Sequence, residues 1–349
     1  MLQFVPSRPD EFDIACRHFK LGKILSASPA GGTRNASWFI AASNGKYVLR
    51  KRFDGYSADN RIKYDHGVIR HLLAGGVPVA PLVAASDGTT AWTAPDGGVW
   101  EAYLFVPGKH LNAGEENALV GLGTALFAFH CQGASFGSYY DKLDPRGETS
   151  PHRLFPLLEK LEAEDMRLAV LPFKRLLLEA ADALDDTTFS LLPETLVHGD
   201  IQPGNIITDN RSKVKAFVDL DWCCRRPRIY DLAFAILMCC GRKIDSGAGE
   251  LWDLTATPVL SEPLIETFLN AYLADAPPLN LFEAKALIPQ INLTWCHVRL
   301  ANSLKVPAGQ RREFITRNPE LNVIPAIEAI GKRMALNKVR LSSSPVKVH

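Results

Sequence analysis

Along the N-terminal part of the chain, apolar positions fall in short runs broken by glycine: Lys23–Ser28, Trp38–Ala42, Lys46–Arg52, Pro81–Ala85 and Trp100–Phe105. Such runs predict short strands joined by turns. The exception is Asn60–Ala74, where Ile62, His66, Ile69, Leu72 and Leu73 recur at helical spacing until Gly75-Gly76 ends the segment. A small antiparallel sheet with one helix inserted in its sequence is expected. After Pro107-Gly108 the pattern changes to long amphipathic stretches, Ala118–Cys131, Leu154–Leu184, Pro263–Leu273 and Phe282–Leu304. These predict a mainly helical second part. It is interrupted by a β-rich insert, Thr195–Asp221, with Ile206-Ile207-Thr208 and Lys215–Asp219 around the turn Asp209-Asn210-Arg211.

A chain of 349 residues is long for one domain and short for three, so two lobes around one cleft are expected. The boundaries read from the pattern are an N-terminal lobe over 1–106, a C-terminal lobe over 107–336 and a loose tail over 337–349 with its Ser-Ser-Ser-Pro run. Apolar residues make up 47% and charged residues 22%, the balance of a chain that buries a core. Lys plus Arg (39) nearly cancels Asp plus Glu (38), so there is no global field to draw in nucleic acid or an anionic membrane, nor one suited to a polycationic substrate. The seven cysteines include two vicinal pairs and no C-x-x-C spacing, which speaks against a disulfide scaffold or zinc ribbon. Pro6, Pro9, Asp10 and Glu11 interrupt any signal-peptide pattern, and the apolar run Leu232–Cys240 is too short to span a bilayer. A cytoplasmic protein is expected; the oligomeric state is not readable.

The densest chemistry lies in the β-rich insert. In His198-Gly199-Asp200-Ile201-Gln202-Pro203-Gly204-Asn205, a carboxylate and a carboxamide sit five positions apart on a loop bent by glycine and proline. Asp219 and Asp221 follow the apolar run Ala216-Phe217-Val218 and flank one residue, so an extended strand would send both to one face. Phosphoryl transfer needs such a set. One carboxylate orients the attacking hydroxyl and accepts its proton, while an amide oxygen and a further carboxylate hold a divalent metal on the triphosphate.

The order H-G-D-x-x-x-x-N followed by D-x-D resembles the aminoglycoside phosphotransferase and choline kinase superfamily, itself similar to protein kinases. That resemblance extends from about Gly22 to Ala335. It implies an α+β, bilobal protein-kinase-like fold, with ATP and Mg2+ as cofactors and a small-molecule hydroxyl as acceptor. It also implies Asp200 as the catalytic base and Asn205, Asp219 and Asp221 as metal-side residues. Gly31, Gly32 and Asn35 fall where the family has its phosphate loop. Arg50 stands where the family's phosphate-binding lysine does, and Asp65, in Ile62-Lys63-Tyr64-Asp65-His66, where its helix glutamate pairs with that lysine. Lys51 should alternate to the opposite face. Glu101 and Tyr103 lie on the strand and hinge that carry adenine, with backbone groups near Tyr103–Phe105 expected to pair with the base. Asp231 is expected to brace the catalytic loop, and His198 to anchor it.

The acceptor is less legible. Arginine forks suit a carboxylate or phosphate, and the clusters Trp222–Arg228 and Trp295–Asn302 supply them, with Arg228 and Arg299 as candidates. The layout resembles most the homoserine-kinase-like branch, which implies a hydroxy amino acid or amino alcohol. An aminoglycoside-type phosphotransferase, a stress-response-like protein Ser/Thr kinase and an inactive nucleotide-binding protein are the competing readings; no A-P-E-terminated activation segment follows Asp219.

Overall fold

The computed structural model describes residues 9–30, 35–140, 142, 151–242, 251–252, 255 and 259–317. Helix α1 (Pro9–His18) precedes strands β1 (Ile24–Pro29), β2 (Ala36–Ala42) and β3 (Gly45–Lys51). Helix α2 (Asp59–Ala74), β4 (Trp92–Thr93) and β5 (Val99–Leu104) follow. The strands form one antiparallel sheet in the order β1-β2-β3-β5-β4. Period-two alternation divides its two faces. Trp38, Ile40, Tyr47, Leu49, Trp100 and Ala102 turn to one side and bury against Ala15, Cys16 and Phe19 of α1. Ser37, Phe39, Val48, Arg50 and Tyr103 turn to the other and line a cavity.

The expected strand Pro81–Ala85 does not form. Leu82 makes a single bridge to Tyr103, and the Val83 amide bonds the Ala102 carbonyl at 2.8 Å, but the Ala85 amide bonds Thr89 in a turn. Pro81 supplies no N–H, so pairing on the side of β5 away from β3 is limited to these few bonds. Helix α1 is not among the expected elements; its Phe12 packs edge-on against Trp38 and Trp100.

The rest of the molecule is mainly helical: α3 (Glu116–Ala134), α4 (Pro151–Leu161), α5 (Arg167–Ala183), the short α6 (Asp186–Ser190), α7 (Ile229–Cys239), α8 (Glu262–Leu273) and α9 (Leu281–Ser303). The single helix expected over Leu154–Leu184 is broken. A wide turn at Glu162–Met166 puts Asp165 at φ 60°, and the periodicity survives because Leu161 and Met166 bury on both sides of the break. Pro172 lies inside α5 without ending it. Short strands thread between the helices: β6 (Lys109–His110), β7 (Glu194–Val197), β8 (Ile206–Thr208), β9 (Val214–Phe217) and β10 (Cys224–Pro227). They pair as β6-β8-β9 and β10-β7. One continuous core joins α3, α5, α7 and α9 and takes in Tyr64, Val68, Ile69 and Leu72 of α2, so α2 is tied to the helical part as well as to the sheet. Among the described residues no helix is long and apolar enough to cross a membrane. The tail over 337–349 lies outside the described residues.

Candidate active site

Strand β7 ends in the turn His198-Gly199-Asp200. Gly199 has φ 84°, and a Cβ there would lie 2.5 Å from the Trp222 carbonyl oxygen, so only glycine fits. Asp231, fully buried in the first turn of α7, braces the turn from below. Its Oδ2 accepts from the His198 amide at 2.6 Å and from His130 Nε2 at 3.0 Å, and its Oδ1 accepts from the Gly199 amide at 2.9 Å. His198 Nε2 donates to the Val218 carbonyl at 3.0 Å, which leaves Nδ1 to accept the Asp200 amide at 3.2 Å. Burial pushes the His198 pKa down, so the ring is a neutral clamp between the loop and the end of β9.

Asp200 is only partly exposed, and burial raises its carboxyl above the usual range. Its Oδ2 accepts from Asn205 Nδ2 at 2.8 Å and Gln202 Nε2 at 3.0 Å; among the described residues no hydrogen bond reaches Oδ1. Asn205 Nδ2 also donates to the Asp200 carbonyl at 2.9 Å, and among the described residues its Oδ1 accepts none. The loop thus turns one carboxylate oxygen and one amide oxygen away from its own hydrogen bonds.

The strand does not stay extended after Val218. Asp219 takes left-handed backbone, φ 60°, and a single 3-10 turn, Leu220–Trp222, follows, so the two carboxylates meet by a turn and not by alternation. Both converge on Arg50: Nη1 lies 3.4 Å from Asp219 Oδ1 and Nη2 3.1 Å from Asp221 Oδ1. Asn35 Nδ2 donates to Asp221 Oδ2 at 2.6 Å while its Oδ1 accepts the Phe53 amide at 2.9 Å. The Asp221 side chain is 5% exposed and the Asp219 side chain 46%, so Asp219 is the carboxylate presented to the cavity. Burial at the cleft floor and then the neighbouring Asp221 push Asp219 up to about 7, whereas Arg50 and Arg52 outweigh burial and hold Asp221 low. Gly31 and Gly32 lie outside the described residues.

The expected pairing of Arg50 with Asp65 is corrected. Arg50 stands directly opposite Glu101 in the β3–β5 register, and Glu101 Oε2 accepts from its Nε at 3.0 Å and Nη2 at 2.7 Å. Facing residues on neighbouring strands are closer than any group on the helix. Asp65 instead takes Arg52 Nη2 at 2.5 Å and Lys142 Nζ. Glu101 is therefore no ligand contact: it is fully buried, bound also by Arg52 Nη1 at 2.5 Å, His66 Nε2 at 2.9 Å and the Tyr103 hydroxyl at 2.8 Å. The two guanidiniums hold its carboxyl well below the usual range against the effect of burial. Arg52, His66 and Lys142 were not singled out from the sequence; Arg52 was findable, since positions 50 and 52 share one strand face. Lys51 does alternate away, to Glu11 and Asp96 at 3.0 Å each. Around the hinge, the Leu104 and Phe105 amides are spent on the Pro81 and Lys46 carbonyls at 2.9 and 3.0 Å, so those two N–H groups do not face a base.

Arg228 and Arg299 are corrected too. Arg228 Nε and Nη2 donate to the Glu283 carboxylate at 2.5 and 3.0 Å. Arg299 is 2% exposed and donates to the carbonyls of Thr255 at 2.9 Å and Arg317 at 2.9 Å, and to that of Phe314. Arg228 is taken up by the Glu283 carboxylate and the two terminal nitrogens of Arg299 by backbone carbonyls, with Arg299 Nε unpartnered among the described residues, and neither side chain lines the cavity.

That cavity, about 740 Å3, runs from the inner face of the sheet across Asp200, Asn205, Asp219 and Asp221 to Tyr230 and His297 of the helical part. Its size suits a nucleotide and a small second molecule. Among the described residues no group of three or more His, Cys, Asp and Glu side chains is placed to hold a metal unaided. A hard, oxygen-ligated cation shared between one or two carboxylates and phosphate fits the donors that are present, Asp219 and the Asn205 side chain among the cavity lining.

The model of the phosphotransferase enzyme family matches residues 27–282. The chain is 27% identical over 284 residues to a homoserine kinase of Neisseria meningitidis serogroup B, covering 80% of this chain and 82% of that protein. Its fold is similar to that of an amicoumacin kinase solved with AMP-PNP and Ca2+, with TM-score 0.65, 17% identity and coverage of 95% and 96%. It is likewise similar to that of an aminoglycoside phosphotransferase from Alicyclobacillus acidocaldarius, with TM-score 0.67, 14% identity and coverage of 95% and 97%.

Proposed function

The chain belongs to the phosphotransferase enzyme family, and we propose that it transfers the terminal phosphoryl group of MgATP to the hydroxyl of a small hydroxy amino acid, homoserine first among them. The observation that carries this reading is the hydrogen-bonded pair Asp200–Asn205 in one cavity with Asp219 and Arg50. Similarity to the Neisseria homoserine kinase over most of both chains supports the choice of acceptor.

In this reading Asp200 Oδ1 receives the acceptor hydroxyl, orients its oxygen in line with the terminal phosphorus and takes its proton as the new P–O bond forms and the bond from that phosphorus to the β–γ bridging oxygen breaks, with ADP leaving. A carboxyl raised by burial is a better proton acceptor than an exposed one. Asn205 Oδ1 and Asp219 would hold Mg2+, with Asp221 beside them; when bound, the ion neutralises charge on the phosphate oxygens. Arg50, fixed from behind by Glu101, presents a guanidinium to the phosphates. Asn35 and Arg50 give up bonds to Asp221 as nucleotide enters.

The experiment is ADP formation by the purified protein with MgATP across homoserine, threonine, choline, ethanolamine, aminopropanol and an aminoglycoside, with Asp200→Asn as control. Homoserine is expected to stimulate turnover most. The control is expected to lose roughly 100- to 10,000-fold in kcat and to bind MgATP within about twofold of wild type, because Asp200 acts on the acceptor and not on the nucleotide. Turnover by Asp200→Asn at the wild-type rate would remove Asp200 from the role of base.

A further inference from the structure

We infer that Arg226 is the residue that recognises a carboxylate on the acceptor. This inference rests on the phosphotransfer reading above for the orientation of the acceptor, and on its own observations for the group that is bound.

Arg226 lies in β10, directly opposite Thr195 of β7, the strand that runs into the Asp200 turn. Alternation along β10 sends Arg225 outward, where its Nη1 reaches the Phe136 carbonyl at 3.3 Å, and Arg226 inward, 1% exposed. There it lines the same cavity as Asp200 and Tyr230. None of its three nitrogens, Nε, Nη1 or Nη2, has a hydrogen-bond partner among the described residues. The guanidinium rests over the Tyr230 ring, 4.6 Å from the centroid. The nearby Asp231 carboxylate is taken up by His198, Gly199 and His130.

A guanidinium carries five N–H donors and stays charged under all ordinary conditions. Burying it without an anion is costly, and a ring beneath it offsets only part of that cost. Arg228 and Arg299 show how this fold holds a buried arginine whose role is structural: a carboxylate fork takes Arg228, and several carbonyls take both terminal nitrogens of Arg299, leaving only its Nε unpartnered among the described residues. Arg226 has neither among the described residues: the Tyr230 side chain, Cys224 and the Asp231 carboxylate help to hold its charge, but none of them engages its fork by a hydrogen bond of good geometry. Its complement is a planar anion entering from the cavity, and a carboxylate matches two parallel N–H donors. The phosphates have a cation of their own in Arg50, on the sheet side of Asp219. A carboxylate held at Arg226 by an acceptor whose hydroxyl meets Asp200 describes a hydroxy amino acid and disfavours a simple amino alcohol.

The test is calorimetric titration of L-homoserine and of its carboxylate-free counterpart aminopropanol into wild type, Arg226→Lys and Arg226→Gln, each in the presence of MgADP. Wild type is expected to bind L-homoserine at least about tenfold more tightly than aminopropanol. Arg226→Gln is expected to lose about 10- to 100-fold for L-homoserine only, the loss of one or two charge-assisted bonds. Arg226→Lys should fall between, since a point charge replaces a fork. Removal of an unpaired buried charge is tolerated by most folds, and Arg226→Met, with MgADP affinity as the check of an intact site, substitutes for Gln if that variant is not recovered folded. Equal affinity of wild type for the two probes, or unchanged L-homoserine affinity in Arg226→Gln or Arg226→Met, overturns the inference. Binding of L-homoserine with the expected losses but no phosphorylation supports Arg226 and sinks only the phosphotransfer reading. Phosphorylation of aminopropanol with no preference for L-homoserine does the reverse.

Discussion

Arg50 and Glu101 face each other across β3 and β5, and the glutamate's Oε2 is bonded by two nitrogens of one guanidinium, at 3.0 and 2.7 Å. Glu101 Oε1 takes Arg52 at 2.5 Å and His66 at 2.9 Å, so one buried carboxylate orients both strand cations and a helix α2 residue at once. The guanidinium that lines the cavity beside Asp219 is thus positioned by the sheet itself.

Replacing Glu101 by Gln leaves Arg50 and Arg52 buried without their shared counter-charge. A loss of about 3–5 kcal/mol in unfolding free energy is expected, read by urea denaturation. MgATP affinity should fall with it, as Arg50 loses the partner that fixes it from behind and keeps only its contacts to Asp219 and Asp221. A variant with wild-type stability would show that the carboxylate is not the hub of this network.

Asp219 gives a pH dependence of defined sign. Its carboxyl, pushed up to about 7 by burial and by Asp221, keeps a proton in the folded protein that the unfolded chain releases near pH 4 or so. The ligand-free protein therefore loses stability as pH rises through that window, and the loss is complete above about 7. Asp219→Asn removes the titration. Its melting temperature relative to wild type is expected to be higher at pH 8 than at pH 5, and its MgATP binding should be weakened at both. An equal offset at the two pH values would contradict the raised carboxyl.

Asp231→Ala deletes the acceptor for the His198 amide, the Gly199 amide and His130. Each buried donor left unpaired costs about 1–3 kcal/mol, so a loss of about 3 kcal/mol or more is expected by thermal or chemical denaturation. The catalytic turn should loosen at the same time, lowering kcat far more than it changes MgATP affinity. A stable variant with normal kcat would show that the turn holds without this brace.

Arg299→Met and Arg228→Gln test the reassignment of two arginines. Both are expected to lower stability, by about 2–4 kcal/mol for the buried Arg299, whose loss strands several carbonyls. Acceptor KM should stay within about twofold of wild type in any variant that remains folded. A large rise in acceptor KM with normal stability would return either residue to the substrate site.

Local sequence determined a good deal. Alternation and turn chemistry announced four of the strands of the N-terminal sheet, and helical periodicity announced α2, α3, α8 and α9 to within about three residues. The loop from His198 to Asn205 and the aspartates at 219 and 221 were legible because their chemistry is set by short spacing along the chain. Three-dimensional packing decided the rest. Whether Arg50 meets Asp65 or Glu101 depends on which residue of a distant strand falls opposite it, and register is a property of two strands and not of one. The bend that turns Asp219 and Asp221 onto one guanidinium comes from left-handed backbone at Asp219, a conformation that aspartate tolerates but that the extended apolar run before it does not announce. Among the arginines in the helical part, composition treats Arg226, Arg228 and Arg299 alike; only the tertiary fold gives two of them hydrogen-bond acceptors and leaves the third lining the cavity with none among the described residues.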